Sequence, residues 1–274
     1  MSLDKEQLME TEKHYGFSYR QAIGELIYAM VTCRPDISFP LIKLSQYSAN
    51  PSAEHFKAVK NIYLYLQATK DEGIYYWRTK HRLDRESGKI PKCPHNNNYV
   101  PNTREQNFPT KPRATVDSDY ANDVQHRKSV TGINIKIAGG SIYYKTKFQA
   151  TVALSSTDAE FIAVCEAAKV ILYVRSILDD MGVQQNEATT LFEDNQGALL
   201  MANAGQPTKR TRHMDTKHFA IHHWVDTDLL TLHRISTSDN ESDAMTKNLP
   251  RALFYRHLDY IMGKVIPDYV NIQT

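Results

Sequence analysis

Asp117, Glu160, Asp194 and Asp243 lie far apart in the chain, yet each falls where a strand end or a helix start can aim a side chain at one common point. Carboxylates gathered in this way make a cage for hard divalent cations. Such ions take oxygen ligands, keep several waters, and are held by a few carboxylates together with substrate phosphates. A site of this kind suits phosphodiester chemistry. Asp117 stands in TVDSDYAND at a strand end, with Asp119 on the same face two residues on as an alternative ligand. Glu160 lies one turn into a helix in LSSTDAEF, and Asp194 follows the apolar run TTLF and opens a helix at EDNQGA. Asp243 sits in the first turn of a helix in NESDAMTKNL. Taken singly, each has a plainer role. Thr157 and Glu160 have capping-box spacing, and Asp194 and Asp243 suit the electropositive start of a helix. The weight rests on recurrence in one order: strand end, helix start, strand-to-helix junction, helix start.

The elements that must position these acids can be read from periodicity. The spacing in SYRQAIGELIYAMVTC predicts a helix from Ser18 with Ala22, Ile23, Leu26, Ile27, Met30 and Val31 on one face and a Ser18–Gln21 capping box. Arg34-Pro35-Asp36 ends it. A second helix is expected over Asp36–Tyr47, and a third over Ser52–Thr69 burying Phe56, Val59, Ile62, Tyr63 and Leu66. IYYW after Gly73 reads as a short strand, and residues 78–112 as a basic, aperiodic linker. Strands follow at Ala114–Asp117, Ser129–Ile137 and Ser141–Lys145, the last two joined by an Ala138-Gly139-Gly140 hairpin turn. Then come a helix over Thr157–Met181 stopped by Gly182, a strand at Thr190–Phe192, helices over Asn195–Asn203 and Asp215–Val225, and a strand at Leu229–Ile235. Terminal helices from Glu241, broken at Pro250, complete the pattern. Five strands in the order βββαβααβα predict an α/β fold, a mixed sheet flanked by helices and preceded by a small helical bundle. The expected division is a bundle over 1–77, a linker over 78–112, and the α/β domain over 113–274.

Of the 274 residues, 41% are apolar and 23% charged, enough for a sizeable core. No apolar run approaches the roughly 20 residues of a membrane span, and the opening MSLDKEQLMETEKHYGFSYR lacks the apolar stretch of a secretory signal. An intracellular protein, cytoplasmic or nuclear, is expected. Cys33, Cys93 and Cys165 fit neither a disulfide framework nor a zinc pattern and read as reduced thiols. Residues 1–113 carry a formal +5 and residues 114–274 a formal −3. A basic segment tethered to an acidic, cation-seeking one suits a nucleic-acid ligand, because phosphate contacts supply affinity while cations neutralise the acids. Chance fluctuation gives the same asymmetry.

In VDSDYAND, RKSVTGI, VALSSTDAEFIAVCEAAK, FEDNQGAL, TRHMDTKHF and SDAMTKNLP, taken in order, the chain resembles the ribonuclease H domain at the end of copia-type retrotransposon Pol polyproteins. YRQAIGELIYAMVTCRPDISF resembles the stretch that trails the reverse transcriptase core. No Tyr-x-Asp-Asp polymerase motif is present, so DNA polymerisation is not expected. The resemblance implies a ribonuclease H-like fold with Asp117, Glu160, Asp194 and Asp243 as catalytic residues and metal ligands. It departs at one point: Ser242 stands where Ala usually precedes the last Asp. It further implies two Mg²⁺ ions, replaceable by Mn²⁺, and hydrolysis of the RNA strand of an RNA–DNA hybrid to 5′-phosphate and 3′-hydroxyl ends. The reverse transcriptase core of a parent element is an implied partner. An inactive remnant that only binds nucleic acid or docks on the polymerase is the alternative.

Hybrid selectivity needs contacts in the wide, shallow minor groove, for which Asn195 and Gln196 are candidates; polar helix-start residues are their other role. Lys209, Arg210, Arg212, His213, Lys217 and His218 form a basic cluster suited to the phosphates of the uncut strand, or to a solvated face. His218, His222 and His223 have helical spacing that could hold a transition metal, though no acidic or thiol partner is evident nearby. The loop STSDNES carries no histidine, and His233 lies earlier, within the last strand, so a proton-shuttling loop is not expected.

Overall fold

The protein is described by a computed structural model over residues 4–76, 111–204 and 215–265. Its first helix, α1 (Lys5–Tyr15), has no fully buried residue and packs only Leu8 and Tyr15, half-buried, against the other front helices. It is built by its ends instead. Asp4 and Gln7 form a capping box, and Gly16 closes the helix in the left-handed region at φ 78°. Helix α2 (Tyr19–Thr32) buries Tyr19, Ala22, Ile23 and Leu26, whereas Ile27 and Val31 of the expected apolar face are exposed. The expected Ser18–Gln21 box is not formed, because the Gln21 amide turns to Glu25 at 2.9 Å. Pro35–Ile37 make a 3-10 turn before α3 (Ser38–Ser45), so the second helix starts later than Asp36. Asp36 is used otherwise, buried against Arg34 at 2.7 Å and accepting from the Tyr65 hydroxyl at 2.7 Å. Helix α4 (Ala53–Ala68) is capped by Ser52 with His55 and buries Phe56, Val59 and Ile62. These helices enclose one apolar cluster around Tyr19, Leu41 and Phe56.

Residues 74–76 form no strand; they are a bridge. The Tyr75 N–H donates to the Met262 carbonyl at 2.8 Å, and the Tyr76 hydroxyl donates to the Ser141 carbonyl at 2.7 Å. Lys43 of α3 donates to the Asn122 carbonyl at 3.2 Å and lies over the Phe148 ring. The front helices therefore pack on the sheet instead of standing apart from it. Most of the expected linker lies outside the described residues; at its end Lys111 pairs with Glu187 and Pro112 is buried.

The sheet consists of β1 (Arg113–Asp119), β2 (Val130–Ile137), β3 (Gly140–Phe148), β4 (Thr189–Glu193) and β5 (Leu230–Arg234), in the order β3-β2-β1-β4-β5. The first three are antiparallel, and β4 and β5 run parallel to β1. This is the mixed, five-stranded sheet flanked by helices that the sequence leads one to expect. Ala138 and Gly139 both adopt positive φ, the geometry that a tight hairpin needs between right-twisted strands. Helix α5 (Ser156–Asp180) covers one face, burying Phe161, Val164, Ala168 and Ile171 against Val116, Ile133, Ile135 and Leu191. Its cap is Ser155, which accepts from the Asp158 N–H; Thr157 and Glu160 do not form the expected box, and Glu160 is left for other work. Helices α6 (Gln196–Asn203) and α7 (Asp215–Asp226) join the same side. A 3-10 helix at Glu241–Met245 stands where an α-helix was expected, followed by α8 (Arg251–Ile261) with Pro250 at its cap. Among the described residues, no helix is long and apolar enough to cross a membrane. Cys33 and Cys165 are free thiols, and Cys93 lies outside the described residues.

Gly132, opposite Asp117 in the β1–β2 register, admits the 3-10 helix against the sheet. A Cβ there would meet Thr246 Cγ2 at 2.7 Å, the Ser242 carbonyl at 2.9 Å and Met245 Cβ at 3.0 Å. Gly132→Ala is expected to destabilise the protein by about 1–3 kcal/mol, read as a lowered urea midpoint with an unchanged m-value, because backbone and a β-branched side chain must give way. A variant as stable as the parent would mean the contact is softer than its geometry.

Candidate active site

Asp117 is placed on the central strand, Glu160 in the second turn of α5, and Asp194 between β4 and α6. One carboxylate oxygen from each lies within 4.8 Å of the others. Among the described residues this is the group of histidine, cysteine or acidic side chains able to share a metal ion. Asp117 and Glu160 are buried and Asp194 half-buried. Glu160 Oε2 is enclosed without a hydrogen-bond partner. An anionic oxygen left in that state is costly unless it is protonated or meets a cation, so the donor set fits a hard divalent ion.

Asp243 also lies beside Asp117. It does not belong to that trio; it pairs with Lys247, whose Nζ lies 2.8 Å from Asp243 Oδ1 and 3.8 Å from Asp117 Oδ1. The Thr246 hydroxyl donates to Asp117 Oδ2. Placement of Asp243 depends on a buried polar network that the sequence reading missed. The Asn240 side chain donates to the Val116 carbonyl at 2.8 Å, and Ser242 and Thr115 share a hydroxyl contact at 2.8 Å. Glu241, fully buried, accepts from Asn134 at 2.7 Å and Lys136 at 3.2 Å. Removing one partner of such a buried pair costs about 3–5 kcal/mol, so the turn carrying Asp243 is firmly held.

Charge crowding shows in the proton affinities. Burial, then the neighbouring Glu193 and Asp117, hold the Glu160 carboxyl well above the usual carboxylate range. Burial raises Asp117 against the pull of Lys247 and Thr246. Asp243 is pushed up to about 8 by burial and by Asp117. For Lys247 burial acts downward, but the Asp117 and Asp243 carboxylates outweigh it and its affinity for the proton rises. Glu193 is a fourth acid beside the trio, wholly buried at the end of β4, and burial raises its carboxyl well above the ordinary range. One of its oxygens accepts from the Asn195 N–H at 2.9 Å and the other has no hydrogen-bond partner. Its signal in the sequence was position: a strand buried on both faces carries its last residue inward with it.

The remaining candidates separate clearly. Asn195 caps α6, accepting from Ala198 N–H at 3.0 Å, and Gln196 is exposed beside it. Asp119 is engaged by Asn122 and does not join the trio. Lys209, Arg210, Arg212 and His213 lie outside the described residues. His218 is buried against Phe161, and His222 pairs with Asp226 at 2.8 Å, an acidic partner that the sequence reading overlooked; these histidines form no metal group. His233 is exposed on β5, beside Thr231.

No family model matches the sequence. The chain is 32% identical over 236 residues, 86% of its length, to the retrovirus-related Pol polyprotein from transposon TNT 1-94 of Nicotiana tabacum, and spans 16% of that relative. It is 31% identical over 151 residues, 55% of its length, to secreted RxLR effector protein 161 of Plasmopara viticola, covering 87% of it. Among solved structures it is similar to LC11-RNase H1 isolated from compost, at 14% identity and TM-score 0.40, over 54% of this chain and 99% of that one. The same enzyme has been solved in complex with an RNA/DNA hybrid, with TM-score 0.37 at 12% identity over 50% of this chain and 94% of that one.

Proposed function

The chain belongs to the copia-type retrotransposon Pol polyproteins, and from that membership we propose that it is a divalent-cation-dependent ribonuclease H, an endonuclease hydrolysing the RNA strand of RNA–DNA hybrids. The observation that carries the proposal is the meeting of Asp117, Glu160 and Asp194 oxygens within 4.8 Å of one another, with Glu160 Oε2 unpartnered. Mg²⁺ held by these acids, with Asp243 completing the set and Mn²⁺ able to substitute, would supply Lewis acidity toward the scissile phosphate.

The chain's own residues set the rest. Asp117 is fixed by Thr246 and Lys247, and Asp243 by the Asn240–Glu241–Ser242 network, so the carboxylates are held before substrate arrives. Asn195 and Gln196, at the start of α6 beside Asp194, are proposed to face the minor groove, where ribose hydroxyls identify the RNA strand. Lys209, Arg210, Arg212 and His213 are proposed to hold phosphates of the uncut strand. Water would attack the phosphorus in line and the RNA 3′ oxygen would leave, giving 5′-phosphate and 3′-hydroxyl ends. We assign residues 1–77 to a thumb- or connection-like bundle, 78–112 to a linker and 113–274 to the nuclease, acting in the cytoplasm or nucleus beside the reverse transcriptase core of a parent element.

End-labelled RNA–DNA hybrid incubated with the full chain is expected to be cut in Mg²⁺ and to survive in EDTA, with duplex DNA intact in both. A gel shift of hybrid in either buffer without cleavage would reject the enzyme and leave a nucleic-acid-binding remnant.

A further inference from the structure

Lys247 has a place in the site that no motif assigned to it. Its ammonium stands between two buried carboxylates, 2.8 Å from Asp243 Oδ1 and 3.8 Å from Asp117 Oδ1. Among the described residues it is the one cationic side chain paired with either acid. Asp243 correspondingly stays outside the trio of oxygens formed by Asp117, Glu160 and Asp194. The site thus has two arms that share Asp117: one of three carboxylates around an unpartnered oxygen, and one of two carboxylates already bridged by a positive charge.

We propose that the Lys247 ammonium competes with a second divalent cation for the Asp117–Asp243 arm, so that cations load in order, the first on the Asp117–Glu160–Asp194 arm and the second only as Lys247 withdraws. The inference rests on the cation-dependent reading above. An ion bridging Asp117 and Asp243 through their Oδ1 atoms would meet the ammonium that now stands beside both. Both carboxylates are nearly inaccessible to water, so solvent ions screen little and the two positive charges exclude each other. Lysine is suited to yielding: its charge is compact and strongly hydrated on a flexible stem, and the Lys247 side chain is 34% exposed, which gives it a path to solvent. It links i to i+4 with Asp243 across the end of the 3-10 helix, so withdrawal needs rotamer change alone and no movement of the backbone network that holds Asp243.

Mn²⁺ titrated calorimetrically into the full, metal-free chain is expected to give one tight site and a second weaker by about tenfold or more. In Lys247→Met the second site tightens by about tenfold or more, whereas Lys247→Arg keeps the wild-type pattern because it keeps the charge. An unchanged or weakened second site in Lys247→Met overturns the proposal. A second measurement needs only the wild type, should Lys247→Met fail to fold. Amine-selective acylation, read by peptide mass spectrometry, is expected to reach Lys247 faster as the weak Mn²⁺ site fills; unchanged or slower labelling overturns the proposal. The two readings part cleanly. A wild-type chain that cuts hybrid and binds Mn²⁺, with its weak site unmoved in Lys247→Met, defeats the competition alone; one that binds no Mn²⁺ defeats the nuclease reading with it.

Discussion

Asp194→Asn is expected to lower the proposed cleavage of the RNA strand on the order of 10³-fold or more and to leave the fold intact. The substitution keeps the shape of the side chain and removes one anionic oxygen from the trio within 4.8 Å. Asp194 is the informative member because the fold asks least of it. Asp117 is tied to Thr246 and Lys247, and Glu160 is enclosed by α5 and the sheet, whereas Asp194 is half-buried at a strand-to-helix junction. Its charge adds to the crowding that raises the carboxyls of Asp117, Glu160 and Glu193. Removing it relieves repulsion, so the metal-free variant is expected to be at least as stable as the wild type. Loss of activity with no loss of stability marks a residue kept for chemistry at the expense of the fold. Hybrid cleavage in Mg²⁺ and urea unfolding in EDTA measure the two sides. Cleavage within about tenfold of the wild type would remove Asp194 from the machinery.

The three acids that meet were legible because each marks a change of element, and changes of element are where a sheet of this topology brings its ends together. Asp243 was legible for the same reason, but its exact relation to the trio was not. That depends on a lysine one turn away, whose obvious sequence role is a solvated surface charge. Glu193 was passed over because its neighbour Asp194 has the helix-opening position, while its own significance comes from burial on both faces of β4, a tertiary property. Lys136 and Glu241 are alike: more than a hundred residues separate them, and nothing local says that a strand lysine and a turn glutamate will share the interior. The misses in the front segment have simpler causes. Helix α1 buries no residue fully and packs only Leu8 and Tyr15 against the bundle, so its apolar signal is short and its capping residues are its clearest mark. The aromatic run after Gly73 has strand composition, yet Tyr75 and Tyr76 spend their hydrogen bonds on Met262 and Ser141 singly, without a ladder.

Raising the pH from about 6.5 to about 8 in EDTA is expected to destabilise the metal-free protein by about 1–2 kcal/mol for each proton the site holds, and Mg²⁺ is expected to cancel the loss. The sign follows from the raised carboxyls. Asp243 titrates near 8 in the folded chain against an ordinary 3.8, so the folded state keeps a proton that the unfolded state has released. Its contribution is fully present below the ordinary value and is lost as the pH rises toward 8; Asp117, Glu160 and Glu193 shift in the same direction. His257 acts oppositely. Buried without a hydrogen-bond partner, it is held down to about 4 by burial and by Arg256, and it makes the fold weaker as the pH falls below 6.5. Above 6.5 the unfolded imidazole loses its remaining proton and that effect fades, which is why the window begins there. Lys247, raised from 10.5, stays charged in both states throughout the window and contributes no slope. A divalent ion held by this site would bind the deprotonated carboxylates and displace their protons, so its stabilisation is expected to grow with pH where the metal-free fold is failing. Urea midpoints across the window, with and without Mg²⁺, decide the matter. Parallel slopes in the two buffers would mean that the raised protons and the cation do not share these oxygens.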